Sequence, residues 1–573
     1  MEVGWPTRAV RRARCRTPGW IEQNAWIGHG DRSRGARRGW REQKLSVYCI
    51  QYTRNASLPH LSAHCGSLPS IDLHMAQTDV RLLVTGIALA VGVACAAEKR
   101  REIAGNTATS VGLQSPSATS GMVSGPLSGR WLTNGYGQLL EIAGDSLVRS
   151  EITDISCLRT LTARRQAGTA SDDSVLFVST STNGDLGVQD AFHIVRASSA
   201  DRRWLTAEGA ISRTELQRTS TLPATCSAPA DSSPVGTFDV FWQTWNEHYP
   251  FFALKQTDWR ALRDANRPKV SASTSPRQLL SVFRAMIEPL HDAHTFIDAR
   301  SIRSGFGGGR MPPSDYARHA DRAIDGIIAS RFQRGRLHSF VNRQIEFAML
   351  ADSIAYMRIR SFSEYAKDPR FSVQVATLEA ALDTMFRESA AWRGLVIDVR
   401  RNGGGSDVFG TIIAGRMTDS SYLAYNKVIR NSRIDAASRT APQPAMVTPS
   451  ATPRFRGAVV LLTGIESVSA AETFAMALMG RTPRVTRIGE NTQGVFSDVL
   501  VRRLPNGWGF GLPNEIYLSA NGVAYDGAGV PPDIEVPVFR TADLAAMRDP
   551  ALKRAISEIS GSSVTSAPAT TRK

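Results

Sequence analysis

Four short stretches of this 573-residue chain hold residue types that could carry covalent chemistry. Ser469 lies between an apolar, β-branched run, Ala458 to Leu462, and a segment with Ala470, Ala471, Phe474, Ala475, Leu478 and Met479 at helical spacing. That pattern predicts a buried strand, a tight turn and a helix that stops at Gly480. A serine at the tip of such a turn is exposed for attack, with unpaired helix amides behind it that can hold an oxyanion. The same serine would also serve as a helix N-cap, with Glu472 three residues on completing a capping box. The second stretch is Gly403-Gly404-Gly405, directly after the apolar run that starts at Gly394. Three glycines let backbone approach a substrate and turn amides inward. No Walker lysine follows, which argues against a phosphate loop. The third is LHDAHTF, where a helical pattern stops and His291 or His294 could act as a base. The fourth is YDGAGVPPDIEV, whose Asp526 and Asp533 are candidate orienting carboxylates.

The elements that must position these residues follow from periodicity. Short alternating stretches separated by turn residues predict a small antiparallel β-domain, of meander or barrel type, over 127–217. A Ser/Pro/Ala-rich linker spans 218–236, and helical spacing with an aromatic face then predicts a helical subdomain over 237–300. Residues 301–350, beginning GFGGGR after Ser304, read as a loop-rich connector. Strands and helices then alternate through 351–540, the pattern of a layered α/β domain, before a C-terminal helix and tail over 541–573.

Composition narrows the function class. The chain has 42% hydrophobic and 21% charged residues, ordinary for a globular protein, and a formal net charge of +16. Residues 1–74 alone hold twelve Lys and Arg against five Asp and Glu, and the rest of the excess is spread without a long basic run. That distribution argues against a nucleic-acid partner. Met75 opens a secretory signal pattern over 75–97, with Arg81, an apolar core from Leu82 to Ala94 and then small residues. Translation is therefore expected to begin at Met75, with 1–74 a disordered extension, and 98–126 a flexible Ser/Thr/Gly-rich linker. Cys95 sits where a lipoprotein would be lipidated, so the mature protein is expected to be periplasmic or secreted, with a membrane tether through Cys95 as one outcome. Cys157 and Cys226 remain beyond the leader and could pair in an oxidising compartment. No cysteine or histidine spacing suggests a metal site, and no cofactor is called for.

In this order the stretches resemble the serine peptidases of the C-terminal-processing (tail-specific) and tricorn-core family. The resemblance rests on Asp398-Val-Arg-Arg-Asn-Gly-Gly-Gly405, Ser467-Val-Ser-Ala-Ala-Glu472, Gly489-Glu-Asn-Thr-Gln-Gly494, Leu504-Pro-Asn-Gly507 and Asp526-Gly-Ala-Gly-Val-Pro-Pro-Asp533. It covers about 235–540 and implies a crotonase-like or Clp-protease-like α/β spiral, with Ser469 as nucleophile and a peptide or unfolded chain as substrate. Val495 stands where the tail-specific branch has its lysine base, and the segment between His294 and Ile354 does not look like that branch's peptide-binding PDZ domain. The tricorn-type branch instead takes a histidine from an upstream D-G-H-T-like motif. Asp292-Ala293-His294-Thr295 matches it, which selects His294 over His291. By the same resemblance Asp526 is the acid that orients His294, with Glu472 and Asp292 as the remaining acids should it not reach. The oxyanion would lie on the amides of Ala470 and of Gly403 or Gly404. The alternative on this fold is a non-catalytic ligand- or peptide-binding protein, as in the retinoid-carrying relatives of the family.

Overall fold

A run of buried strands forms the centre of the computed structural model, which describes residues 127–167, 173–180, 191–317, 319–332, 337–350, 353–431, 437–450 and 453–562. The leader, Cys95, the extension 1–74 and the linker 98–126 lie outside these residues. The protein is of mixed α/β type. Ile354–Ile359, Gly394–Asp398 and Ala458–Thr463 pair in parallel, and Thr486–Gly489 and Ile534–Glu535 extend the sheet in the same sense. The first two are buried at every residue, as expected of parallel strands covered by helices on both faces.

The stretch read as a loop-rich connector is more ordered than expected. Residues 301–350 contain the helix Asp321–Ser330 and two strands, His338–Phe340 and Ile345–Met349, that complete a seven-stranded sheet. Ile345–Met349 pairs antiparallel with Ile354–Ile359, and Glu346 faces Arg358 across the pair. Arg358 and Arg360 both reach the Glu346 carboxylate. Such a cross-strand charge contact forms only once the strands are paired, so no local pattern announces it.

Upstream, eight antiparallel strands from Gly129–Thr133 to Thr214–Thr219 close into a barrel, the first pairing with the last. Trp131, Leu140, Phe177, Phe192, Ile194 and Leu216 fill it, each taken from the inward side of an alternating strand. A disulfide joins Cys157 to Cys226, tying the barrel to the turn Ala224–Ser227.

Three helices follow. Pro234–His248 is capped by Ser233, which accepts from the Gly236 amide at 3.1 Å, and Pro276–Ile287 carries a capping box between Ser275 and Gln278. With Trp259–Asn266 they pack an aromatic core in which Phe241 and Phe283 lie 4.1 Å apart. The subdomain ends in the strand Phe296–Ala299, which pairs with Gly509–Pro513. This pairing joins the helical subdomain to the C-terminal half and carries His294 to the site.

Candidate active site

Ser469 sits at the N-cap of the helix Ala470–Met479 with φ 57° and ψ −118°. The ordinary N-caps of this protein, Ser233 (φ −59°, ψ 160°) and Ser275 (φ −70°, ψ 155°), do not share that backbone. A non-glycine residue in this region costs about 1–3 kcal/mol and persists only where its surroundings hold it. The surroundings are specific. The Ser469 amide donates to Glu472 Oε2 at 3.1 Å, and the Val468 amide donates to the Asn402 carbonyl at 2.9 Å. The helix behind it is buried from Ala470 to Leu478, and its alanines allow close packing.

The glycine turn lies against this elbow. A Cβ on Gly404 would come within 2.7 Å of Ser469 Cβ, and Gly404 has φ +98°, so only glycine fits without strain. The Gly404 amide donates to Asn402 Oδ1 at 2.8 Å, so it is committed to holding the turn and is not the oxyanion donor the sequence allowed. Asn402 is itself fully buried, with its Nδ2 donating to the Ile359 carbonyl at 2.9 Å. The amides left for an oxyanion are those of Gly403, exposed in the turn, and of Ala470, the first residue of the helix.

Glu472 organises the opposite wall. It is fully buried and accepts from Thr492 Oγ1 at 2.6 Å, from the Gly494 amide at 2.6 Å and from the Val495 amide at 2.9 Å, besides Ser469. Burial pushes its pKa up to about 7, against the pull of those donors. The Gly494 carbonyl accepts from the Gly527 amide at 2.8 Å, which brings the Asp526 loop in. Further along this segment, Ser497 and Asp498 lie beside His294 and favour its charged form. Thus the segment 492–498 connects Ser469, Asp526 and His294.

The two candidate histidines differ sharply. His291 is exposed and closes the short turn Glu288–Leu290 in a left-handed conformation. His294 is 4% exposed, and neither ring nitrogen makes a hydrogen bond. Burial lowers its pKa, with the charges of Asp292 and Asp498 opposing. A neutral imidazole is the form a general base requires.

The hydrogen bond expected between Asp526 and His294 is not formed. Both Asp526 carboxylate oxygens are buried without a hydrogen-bond partner. Burial, then the negative charges of Asp292 and Glu472, push its pKa well above the usual carboxylate range. Burial without donors disfavours the charged form of a carboxyl, and Asp526 is the one in this corner whose oxygens lack them. Asp533 is elsewhere, bound to Arg487 at 2.8 Å beside the edge strand Ile534–Glu535.

A second polar cluster borders the site. Lys427, 2% exposed, binds Asp498 at 2.6 Å and Glu515 at 3.1 Å. Burial opposes its charge, but the two carboxylates raise its pKa well above the ordinary value. It is thus an engaged cation, and Val495, buried at the position of a lysine base, offers none. The barrel reaches this cluster through Tyr136, whose hydroxyl donates to Glu515 Oε1 at 2.6 Å. Thr473, one turn along the helix from Ser469, donates to Asp407 Oδ1 at 2.7 Å, and burial with the charge of Asp498 raises Asp407 to about 6. Sequence reasoning missed Lys427, Asp498 and Asp407, which carry no motif and meet only through strand pairing. Asn402 was legible as part of the glycine turn, although its role in fixing that turn was not.

Comparison with known proteins gives the following. No curated protein matches the chain. Among solved structures, a peptidase candidate from Parabacteroides merdae is similar at 26% identity, with 57% of this chain and 97% of that one covered and a TM-score of 0.49. The photosystem II D1 C-terminal processing protease is similar at 17% identity over 53% of this chain and 93% of its own, with a TM-score of 0.35. The tricorn protease is similar at 14% identity over 74% of this chain and 46% of its own, with a TM-score of 0.36. Residues 353–536, the stretch that holds the glycine turn, Ser469 and Asp526, match the model of Peptidase family S41, and this match links the chain to serine peptidases.

Proposed function

We propose that the protein is a serine endopeptidase in which Ser469 attacks the peptide carbonyl and His294 takes its proton. The observation that carries this reading is the backbone of Ser469, held in a strained conformation that the protein's ordinary serine caps do not adopt. In this mechanism Ser469 Oγ adds to the carbonyl carbon as its proton passes to the imidazole. The imidazolium then protonates the leaving amine, and water repeats the sequence on the acyl-enzyme. The amides of Ala470 and Gly403 hold the oxyanion, each such donor being worth about 3 to 4 kcal/mol in the transition state. The engaged Lys427 and the buried Val495 support a histidine-dependent, tricorn-type site over a lysine-dependent one. The parallel strands with helices between them are compatible with a crotonase-like spiral. The leader pattern at Met75 supports a secreted or periplasmic location, with Cys95 as a tether.

The absent His294–Asp526 bond favours the second reading, a peptide-binding protein without turnover. Labelling with a fluorophosphonate probe separates the two. The wild type and His291→Ala should label, Ser469→Ala should not, and His294→Ala should label slower by about two orders of magnitude or more. A wild-type protein that does not label would support the binding reading.

A further inference from the structure

Asp292, two residues before His294, is the carboxylate that contacts its backbone. It is 1% exposed, and each of its carboxylate oxygens has a defined partner. Oδ1 accepts from the His294 backbone amide at 3.0 Å, and Oδ2 accepts from the Tyr249 hydroxyl at 3.0 Å. The first contact is an Asx turn, which fixes the backbone from which the imidazole projects. The turn is locked from behind. Thr295 Oγ1 donates to the Asp292 carbonyl at 2.7 Å, and a Cβ on Gly308 would meet that carbonyl at 2.2 Å. Tyr249 is itself immobile. It is fully buried at the end of the helix Pro234–His248, with ring contacts to Trp245 at 5.1 Å, Phe252 at 4.8 Å and Phe251 at 5.7 Å.

Resting on the serine peptidase reading, we propose that Asp292, held by Tyr249, is the positioning carboxylate for His294. It does not bond to the ring; it sets the ring's origin and supplies the nearby negative charge that stabilises an imidazolium. At 1% exposure that charge is poorly screened by water, so it acts on the ring far more strongly than a surface carboxylate would. The other charged groups facing this corner are accounted for. Asp498, before the strand Val499–Arg503, also favours the charged ring, but it is paired to Lys427 at 2.6 Å. The Ser497 carbonyl likewise favours the charged ring. Asp526, whose pKa burial and the charges of Asp292 and Glu472 raise, also acts on Tyr249. Tyr249 remains a hydrogen-bond donor throughout, because burial and then the Asp292 charge raise its pKa well above the ordinary value.

The test is the pH dependence of fluorophosphonate labelling at Ser469. The rate requires neutral His294, so it falls as pH drops through the ring's pKa. Asp292→Asn keeps an oxygen for the Asx turn and removes the charge. Its acid limb should therefore move to lower pH by about one unit, with labelling at pH 7 slowed about tenfold or more. Tyr249→Phe removes the donor that shares the carboxylate's charge, and should move the limb the opposite way by less than about one unit. A wild type that labels, with both variants folded and neither limb displaced, would show Asp292 to be only a turn residue and overturn the proposal. If Asp292→Asn does not fold, the Tyr249→Phe limb decides alone: displaced upward it supports the proposal, unmoved it overturns it. A wild type that does not label overturns the peptidase reading itself, which is a different outcome.

Discussion

A serine hydroxyl becomes a nucleophile through its neighbours, and at the residue scale three carboxyls with unlike surroundings divide the roles. Glu472 has four donors and holds the elbow, Asp292 has two and holds the histidine turn, and Asp526 has none. Because neither Asp526 oxygen bonds to His294, an amide in its place removes no contact to the ring. Asp526→Asn should therefore change turnover at pH 7 by less than about threefold, whereas an orienting carboxylate replaced by an amide costs orders of magnitude. Steady-state rates on a fluorogenic peptide decide it, and a loss beyond about 100-fold with the fold intact would return Asp526 to the triad. The same measurement across pH should show activity lost on acidification, through a His294 pKa that burial lowers below that of an ordinary imidazole.

At the scale of elements, the site is a contact between a glycine turn and a helix start, each of which follows a parallel strand of one sheet. Gly394–Asp398 and Ala458–Thr463 are neighbours in that sheet, so the loops after them emerge side by side. The two short segments Arg401–Asn402 and Glu466–Ser467 then pair in parallel and fix the distance between loops. Gly404→Ala should break this contact. Its added methyl would come within 2.7 Å of Ser469 Cβ, in a backbone conformation that alanine adopts only under strain. The expected result is a folded protein whose fluorophosphonate labelling drops by about 100-fold or more, the scale of losing one oxyanion donor. Circular dichroism alongside labelling separates this from unfolding.

At the scale of the whole molecule, the C-terminal helix Pro550–Ser562 is locked to the seven-stranded sheet by a buried ion triad. Arg400, with no exposed side chain, binds Asp398 at 2.6 Å and Asp549 at 2.7 Å. Tyr356 donates to Asp398 at 2.8 Å. Burial alone would raise the Asp398 pKa, but the Arg400 charge and hydrogen bonds outweigh it and hold the pKa below the ordinary value. Its stabilisation is therefore present above the unfolded carboxylate pKa and is lost as pH falls through the lower folded value. Asp549→Ala leaves a buried cation half-paired and should lower stability by about 3–5 kcal/mol, read by urea denaturation. A loss under about 1 kcal/mol would mean that the triad is not a stabilising lock.

The amino-acid sequence by itself determined the strand–turn–helix around Ser469 and the glycine turn after Asp398, because each is a local pattern of polarity and backbone permissiveness. It also separated His294 from His291 by motif. What it could not carry was anything set by pairing across distance. The strands His338–Phe340 and Ile345–Met349 are short and gain their definition from the sheet they join, so their stretch read as loop. Gly404 looked equivalent to Gly403 as a donor until Asn402 Oδ1 claimed its amide. The placement of Lys427, Asp498, Glu515 and Tyr136 in one cluster depends on a barrel and two sheets meeting. The upward pKa shift of Asp526 is likewise tertiary: it is set by the carboxyl's donors and its depth, and neither is written in its neighbours along the chain.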